Sequence, residues 1–143
     1  MPVILCVGSD LIIMDCLAPL VGTLLIDKYK INTFVYGTLK NTITAKEIVF
    51  AKEFINKYHK GKKVLAVDAA VGKINEIGLV KISGEGLYPG LGVNKRLPMV
   101  GDISILGIVS DKSFLNKSML AITRMNLIYK MANLIAEAIA SAI

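Results

Sequence analysis

The fold of this chain is decided by residues 3–22, VILCVGSDLIIMDCLAPLVG. The continuous apolar run 3–7 predicts a strand buried on both faces, and Gly8 ends it. A polar turn follows, and apolar residues recur at helical spacing from Asp15 to Tyr29, so we expect a helix there. Asp10 and Asp15 therefore lie just beyond the carboxyl end of the first strand, the edge of an open α/β sheet at which ligands bind.

Strands and helices alternate along the rest of the chain. We expect further strands over residues 31–36, 64–67, 79–82 and 103–109. Thr44, with Glu47 three residues later, is a capping-box pattern that begins a second helix. The strand 79–82 should run antiparallel, because residues 73–78 are too few for a parallel crossover. The order predicts a single α/β domain, residues 1–143, folded as a three-layer α/β/α sandwich with a mostly parallel sheet of about five strands.

The last apolar segment predicts a long helix. Ser113 is expected to cap it, and the helix should run from about Phe114 to the end of the chain. Its apolar face is broad, which is typical either of deep packing on the sheet or of a subunit contact. A homodimer is therefore one prediction for this chain.

Composition limits the possible partners. Although 54% of the 143 residues are hydrophobic, no uncharged apolar run reaches the roughly 18 residues of a membrane span, and no basic segment precedes an apolar core as in a secretory signal. Two cysteines are too few for a disulfide framework, which favours the reducing cytoplasm. The formal charge is +6, but the lysines are spread along the chain, so we expect no nucleic-acid partner.

A second carboxylate is expected at the same edge of the sheet. Asp68 follows the apolar residues 64–67, and a carboxylate there is costly to bury unless it is paired or hydrogen-bonded. One interpretation is a turn or cap residue, as Asp15 would be if it capped the first helix. The other is an acid pair with one raised pKa, in which the ionised group activates water and the protonated group polarises a carbonyl. That is the chemistry of metal-free peptide hydrolysis.

Other kinds of site are less well supported. His59 is the only histidine and ends the second helix, so a Ser-His-Asp or Cys-His site is not expected. A metal would have to use Cys16 and carboxylates without histidine; we predict no metal and no cofactor, although magnesium on carboxylates alone stays open. The glycine-rich segment 83–101 does not match nucleotide-binding spacings and fits a lid or substrate-binding loop.

Several short motifs together resemble the YyaC-type sporulation proteins, in the right order over nearly the whole chain. They are Gly8-Ser9-Asp10, Asp15-Cys16-Leu17-Ala18-Pro19, Tyr36-Gly37-Thr38-Leu39, Val67-Asp68-Ala69, Pro89-Gly90-Leu91-Gly92-Val93 and Val100-Gly101-Asp102-Ile103. That family is similar to the germination protease of bacterial spores, an atypical aspartic peptidase that degrades small spore proteins. The resemblance implies that Asp15 and Asp68 are the catalytic pair. It also implies supporting or substrate-binding roles for Asp10, Gly37, Thr38, Pro89, Gly90, Gly92 and Asp102.

The hydrogenase maturation peptidases are expected to share the fold but recognise nickel through acidic residues and a histidine. Here Cys16 stands where those enzymes carry a Glu, and no histidine occurs near residues 99–102. Nickel-dependent action is therefore disfavoured. The resemblance implies a peptidase of the sporulating cell's cytoplasm that acts on a protein or peptide, or alternatively an inactive peptide-binding module of the same fold.

Overall fold

The computed structural model describes residues 1–89, 97–112 and 123–143. Its strands are β1 (Val3–Cys6), β2 (Val35–Tyr36), β3 (Val64–Gly72), β4 (Val80–Ser83) and β5 (Ile103–Asp111). Its α-helices are α1 (Leu17–Asp27), α2 (Ile48–Tyr58) and α3 (Met125–Ala142). Short 3-10 helices span Ile13–Cys16, Ala45–Glu47 and Ile74–Glu76.

The five strands form one mixed sheet in the order β2-β1-β3-β5-β4. β1 pairs in parallel with β2 and β3, and β3 pairs in parallel with β5. β4 runs antiparallel to β5, with Val80 opposite Gly107. The predicted antiparallel strand is confirmed, because β4 follows β3 after too short a connection to cross the sheet.

Helices cover both faces of the sheet. Ile4 and Cys6 of β1 pack in one core with α1 and α3, whereas Val3 and Leu5 pack in a second core with α2. This alternation explains why β1 is apolar at every position: each face of the strand meets a helix layer. The predicted three-layer α/β/α fold is confirmed.

Two strands differ in length from their predictions by more than two residues. β2 contains Val35 and Tyr36 alone, because the chain before it stays with α1, where the Ile31 N–H donates to the Leu25 carbonyl at 3.2 Å. β3 continues to Gly72, because β5 pairs with it as far as Asp111. The capping box is confirmed: the Thr44 N–H donates to Glu47 Oε2 at 2.7 Å.

The last helix begins later than predicted. Thr123 and Arg124 are not helical, and α3 starts at Met125; Ser113 and Phe114 lie outside the described residues. Its apolar face, including Ile128 and Ile135, is buried in the core shared with α1. Of the two expectations for this face, the structure therefore shows deep packing.

No helix within residues 1–89, 97–112 and 123–143 combines the length and the apolar composition needed to cross a bilayer.

Candidate functional site

The candidate site lies where β1 ends. The Val7 N–H donates to the Val67 carbonyl at 2.9 Å, and the next N–H, of Gly8, donates to the Ile43 carbonyl at 2.9 Å. The chain then loops out and returns, so that the Ser9 N–H donates to the Asp15 carbonyl at 3.0 Å. A Cβ at Gly8 would lie 2.2 Å from that same carbonyl oxygen. Glycine therefore permits the close approach that brings Asp15 back to the end of β1.

Asp15 lies inside the 3-10 helix Ile13–Cys16 and is half-buried. Burial raises the pKa of its carboxyl group to about 6, against the lowering effect of a hydrogen bond from the Ser9 backbone. The interpretation of Asp15 as the cap of the first helix is wrong: the N-cap of α1 is Cys16, which makes no side-chain capping bond. The raised pKa follows from desolvation and not from a neighbouring carboxylate, which departs from the expected shared proton.

Asp68 lies within β3 and is 3% exposed. The Ala69 N–H donates to Asp68 Oδ1 at 2.8 Å. The expectation that Asp68 ends its strand is wrong, since β3 continues to Gly72. It is nevertheless the first β3 residue beyond the end of β1, because Cys6, the last residue of β1, pairs with Val67.

The end of β1 brings the two predicted catalytic residues to one region of the fold. The 3-10 helix Ile13–Cys16, which carries Asp15, contacts β3, which carries Asp68. Both residues therefore lie near the carboxyl end of β1, the edge at which sites form in an open α/β sheet.

Burial disfavours the thiolate form of both cysteines. The pKa of Cys6 is raised to about 12, chiefly by burial; a hydrogen bond from the Gly22 backbone opposes the rise, and the charge of Asp68 adds to it. Burial also raises the pKa of Cys16, with smaller contributions in the same direction from Asp15 and Asp10. Because nucleophiles and metal ligands need the thiolate, the carboxylates remain as the reactive groups at this edge.

Gly37 and Thr38 lie beside β1 but line a groove away from Asp15 and Asp68. Gly37 has φ +93°, and a Cβ there would lie 1.9 Å from the Cys6 carbonyl oxygen. Thr38 closes a turn in which its N–H donates to the Asn41 carbonyl at 3.1 Å. Both residues line a groove on the outer side of β2.

The other predicted site residues are dispersed. Asp10 is exposed in the loop before Asp15, and Pro89 is buried; Gly90 and Gly92 lie outside the described residues. Asp102 is at the opposite edge of the sheet, where its Oδ2 accepts a 2.8 Å hydrogen bond from the N–H of Val64, the first residue of β3. The structure therefore does not bring Asp102 to the end of β1, because Asp102 precedes β5 and the amino ends of parallel strands meet at the other edge.

Sequence reasoning missed the environment of His59. The side chain is 9% exposed, its Nε2 lies 2.6 Å from Tyr36 Oη, and its ring centroid is 4.4 Å from that of Phe34. His59 thus joins the end of α2 to β2. Phe34 and Tyr36, two residues apart, share one face of the chain at β2, but no local pattern shows that the end of α2 packs against that face.

Within residues 1–89, 97–112 and 123–143, no group of three or more His, Cys, Asp or Glu side chains is arranged to hold a metal ion.

Known proteins resemble this chain in fold and in sequence. The crystal structure of the NiFe hydrogenase maturation protease HycI from Thermococcus kodakarensis KOD1 matches with a TM-score of 0.58 and 21% identity over 97% of this chain and 89% of that one. The uncharacterized protein YyaC of Bacillus subtilis (strain 168) is 41% identical over 135 residues, which are 94% of this chain and 66% of the relative. The chain thus spans slightly less than two thirds of the relative's length.

These findings confirm the resemblance to the YyaC-type proteins and the fold shared with a hydrogenase maturation protease. Residues 1–138 also match the sequence profile of one family over almost the entire chain. The chain therefore belongs to the DUF1256 family, whose description is "protein of unknown function".

Proposed function

We propose that this protein is a peptidase of the sporulating or germinating cell, which hydrolyses peptide bonds in a protein substrate through Asp15, Asp68 and an activated water. The observation that carries the proposal is the carboxyl group of Asp15, whose pKa burial raises to about 6 at the edge of the sheet where Asp68 also lies. General bases work best when their pKa lies near the operating pH.

The two carboxyl groups take different roles in this proposal. Asp15 is ionised above about pH 6 and accepts a proton from the water that attacks the scissile carbonyl carbon; it then returns this proton to the amine nitrogen as the C–N bond breaks. We assign to Asp68 the hydrogen bond to the scissile carbonyl oxygen, which stabilises the negative charge that develops there; this role requires the Asp68 carboxyl group to carry a proton when the substrate is bound. Because desolvation alone raises the pKa of Asp15, the mechanism needs no proton shared between the two groups.

Two further observations support a polypeptide substrate. Leu11, Ile12 and Ile13 lie exposed between Ser9 and Asp15, and Leu11 is 88% exposed. Exposed apolar side chains next to a reactive group suit the binding of an apolar polypeptide segment. The chain also shares its fold with a protein named as a protease, which supports peptide hydrolysis as the activity. We propose that this activity takes place in the cytoplasm.

The test is incubation of the purified protein with small spore proteins and with an unfolded reference protein, followed by mass spectrometry of the products. We expect defined cleavage by the wild type and a loss of at least about 100-fold in rate for Asp15→Asn and for Asp68→Asn. Circular dichroism of both variants establishes that they fold.

Three outcomes would contradict the proposal. Full activity in either Asn variant would show that catalysis does not need the aspartate pair. Loss of cleavage on addition of a chelator would indicate metal-assisted hydrolysis as the mechanism. Saturable binding of the same proteins without any turnover identifies the chain as an inactive peptide-binding module.

A further inference from the structure

The outer edge of β2 offers unpaired backbone groups. β2 is an edge strand, since the sheet order begins with it. In its parallel pairing with β1, Val35 stands opposite Ile4, and the Ile4 N–H donates to the Phe34 carbonyl at 2.9 Å. This pattern turns the N–H and the carbonyl of Val35 away from β1. Among residues 1–89, 97–112 and 123–143, neither outward group of Val35 has a hydrogen-bond partner.

A groove lies along this edge on the α1 side. Its volume is about 630 Å³, which is within the range of sites that bind ligands. Ile26 from α1 and Leu39 from the following turn line it, 43% and 36% exposed respectively, together with Val35. We call this cavity the β2 groove.

An aromatic surface lies along the same edge on the α2 side. Phe54 contacts Tyr36 edge-to-face, with ring centroids 5.7 Å apart, and stacks obliquely on Tyr58 at 4.6 Å. Phe50, whose ring centroid is 6.3 Å from that of Phe54, is 69% exposed, and Tyr58 is 61% exposed. We call these four residues with Phe34 the aromatic surface.

The two surfaces and the strand between them match the geometry of an extended peptide. Successive side chains of a strand point to opposite faces, so a strand added to β2 would place them alternately in the β2 groove and on the aromatic surface. A second copy of the chain suits the edge less well, because a twofold axis would set one concave groove against another.

Charge favours an acidic peptide. Lys40 lines the β2 groove together with Asp27, and Lys57 Nζ lies 5.3 Å from the centroid of the Tyr58 ring on the other side. The chain as a whole carries a formal charge of +6. Because Lys40 and Asp27 balance each other in the groove, the attraction for a negatively charged polypeptide comes from Lys57 and from the overall charge.

We propose that the β2 edge binds an extended, apolar segment flanked by acidic residues, from the protein's polypeptide substrate, which adds to the sheet through the N–H and carbonyl of Val35. This inference rests on the proposed function for the nature of the substrate. The turn 37–43 connects this edge to the candidate site, because Ile43 bonds to Gly8, the residue from which the loop to Asp15 departs.

The test is fluorescence anisotropy with a short labelled peptide that has a Val/Phe core flanked by glutamates. Val35→Pro removes the outward N–H but leaves the hydrogen bond from Ile4 to Phe34, and Val35→Thr is the matched control that keeps every backbone group. We expect saturable binding to the wild type, a loss of about tenfold in affinity for Val35→Pro, and a change below about twofold for Val35→Thr.

A modified peptide provides the same test without altering the protein. N-methylation of the core residue that faces the Val35 carbonyl should also weaken binding about tenfold, which decides the matter if Val35→Pro does not fold. A lysine-flanked peptide should bind more weakly than the glutamate-flanked one, and the difference should shrink as salt is added.

The proposal is overturned if the glutamate-flanked peptide does not bind, or if Val35→Pro and N-methylation both leave its affinity unchanged. It is equally overturned if sedimentation shows a dimer that Val35→Pro dissociates, since the edge would then belong to a second copy. Binding is measured in the Asp15→Asn background as well. If the peptide binds this variant but the wild type cleaves no protein, the proposed peptidase activity is contradicted and peptide binding at the β2 edge still stands. If the wild type cleaves protein but no peptide binds, binding at the β2 edge is contradicted and the peptidase activity still stands.

Discussion

Asp15 shows how burial alone prepares a side chain for chemistry. Its backbone is held against the end of β1 by the Ser9 N–H, and its carboxyl group is partly withdrawn from water. Desolvation penalises the charged form, so the pKa of the group rises from 3.8 to about 6. A carboxylate in this state is a stronger base than an exposed one and is still ionised at neutral pH.

The pH dependence of cleavage tests this assignment. If ionised Asp15 is the base, activity should rise as the pH increases from 5 to 7, with a midpoint near the pKa of about 6. The measurement is kcat/KM for one peptide substrate across this range, with circular dichroism as a control for folding. A midpoint near 4, the ordinary value for an aspartate, would remove Asp15 from that role.

The stability of Asp15→Asn tests the same pKa without any substrate. The folded protein binds the proton more tightly than the unfolded chain, so the stability due to this group falls as the pH rises from about 4 to about 6. The variant should therefore be more stable than the wild type at pH 7 and equal to it below about pH 4. Urea unfolding at both pH values measures the difference, and a destabilised variant at pH 7 would contradict the burial argument.

At the scale of elements, α1 is positioned by contact between backbones. A Cβ at Gly22 of α1 would lie 2.1 Å from the Gly37 carbonyl oxygen, and one at Gly37 would lie 1.9 Å from the Cys6 carbonyl oxygen. The helix, the turn after β2 and β1 therefore meet without side chains between them. This packing sets the position of the helix that follows Asp15.

Gly22→Ala should destabilise the protein by about 1–3 kcal/mol, because the methyl group must displace the Gly37 backbone and the loss exceeds the gain in helix propensity. Gly84→Ala is the control, since nothing lies within 4 Å of its added Cβ, and its effect should stay within about 0.5 kcal/mol. Free energies of unfolding in urea give both values. Equal stability of the two variants would show that α1 can shift freely.

The amino edge of the sheet provides a second test at this scale. Asp102→Ala leaves the Val64 N–H without its carboxylate acceptor and should lower the free energy of unfolding by about 1 kcal/mol. Cleavage per folded molecule should not change, because Asp102 lies at the opposite edge from Asp15. A large fall in kcat for the folded variant would show that Asp102 contributes to catalysis after all.

At the scale of the whole molecule, α3 completes the core on one face of the sheet. Ile135 is 2% exposed, and its neighbour Leu134 is 59% exposed on the outer side of the helix. The broad apolar face of α3, for which the sequence left a subunit contact open, is therefore buried against the rest of the same chain.

Ile135→Ala should cost about 2–5 kcal/mol, as other deletions of large buried aliphatic side chains do, whereas Leu134→Ala should change stability by less than about 0.5 kcal/mol. Thermal or urea unfolding measures both, with sedimentation velocity on the same samples. A change of oligomeric state in Leu134→Ala would instead identify the outer side of α3 as a homodimer contact.

Local patterns in the sequence determined most of the architecture. Apolar runs and the Thr44–Glu47 capping box identified elements whose causes lie within a few residues, and the short 73–78 connection required an antiparallel strand. The same patterns placed Asp15 at the end of β1, since that position depends on one strand and its turn.

The tertiary structure alone decided which residues share an edge. Asp68 lies beside the end of β1 because β1 stops there while β3 continues with β5, and Asp102 lies at the far edge because it precedes its strand. The contact of His59 with Tyr36 and the open edge of β2 likewise depend on the order of strands. Strand ends and strand order arise from pairing between segments distant in the chain, and no local pattern encodes that pairing.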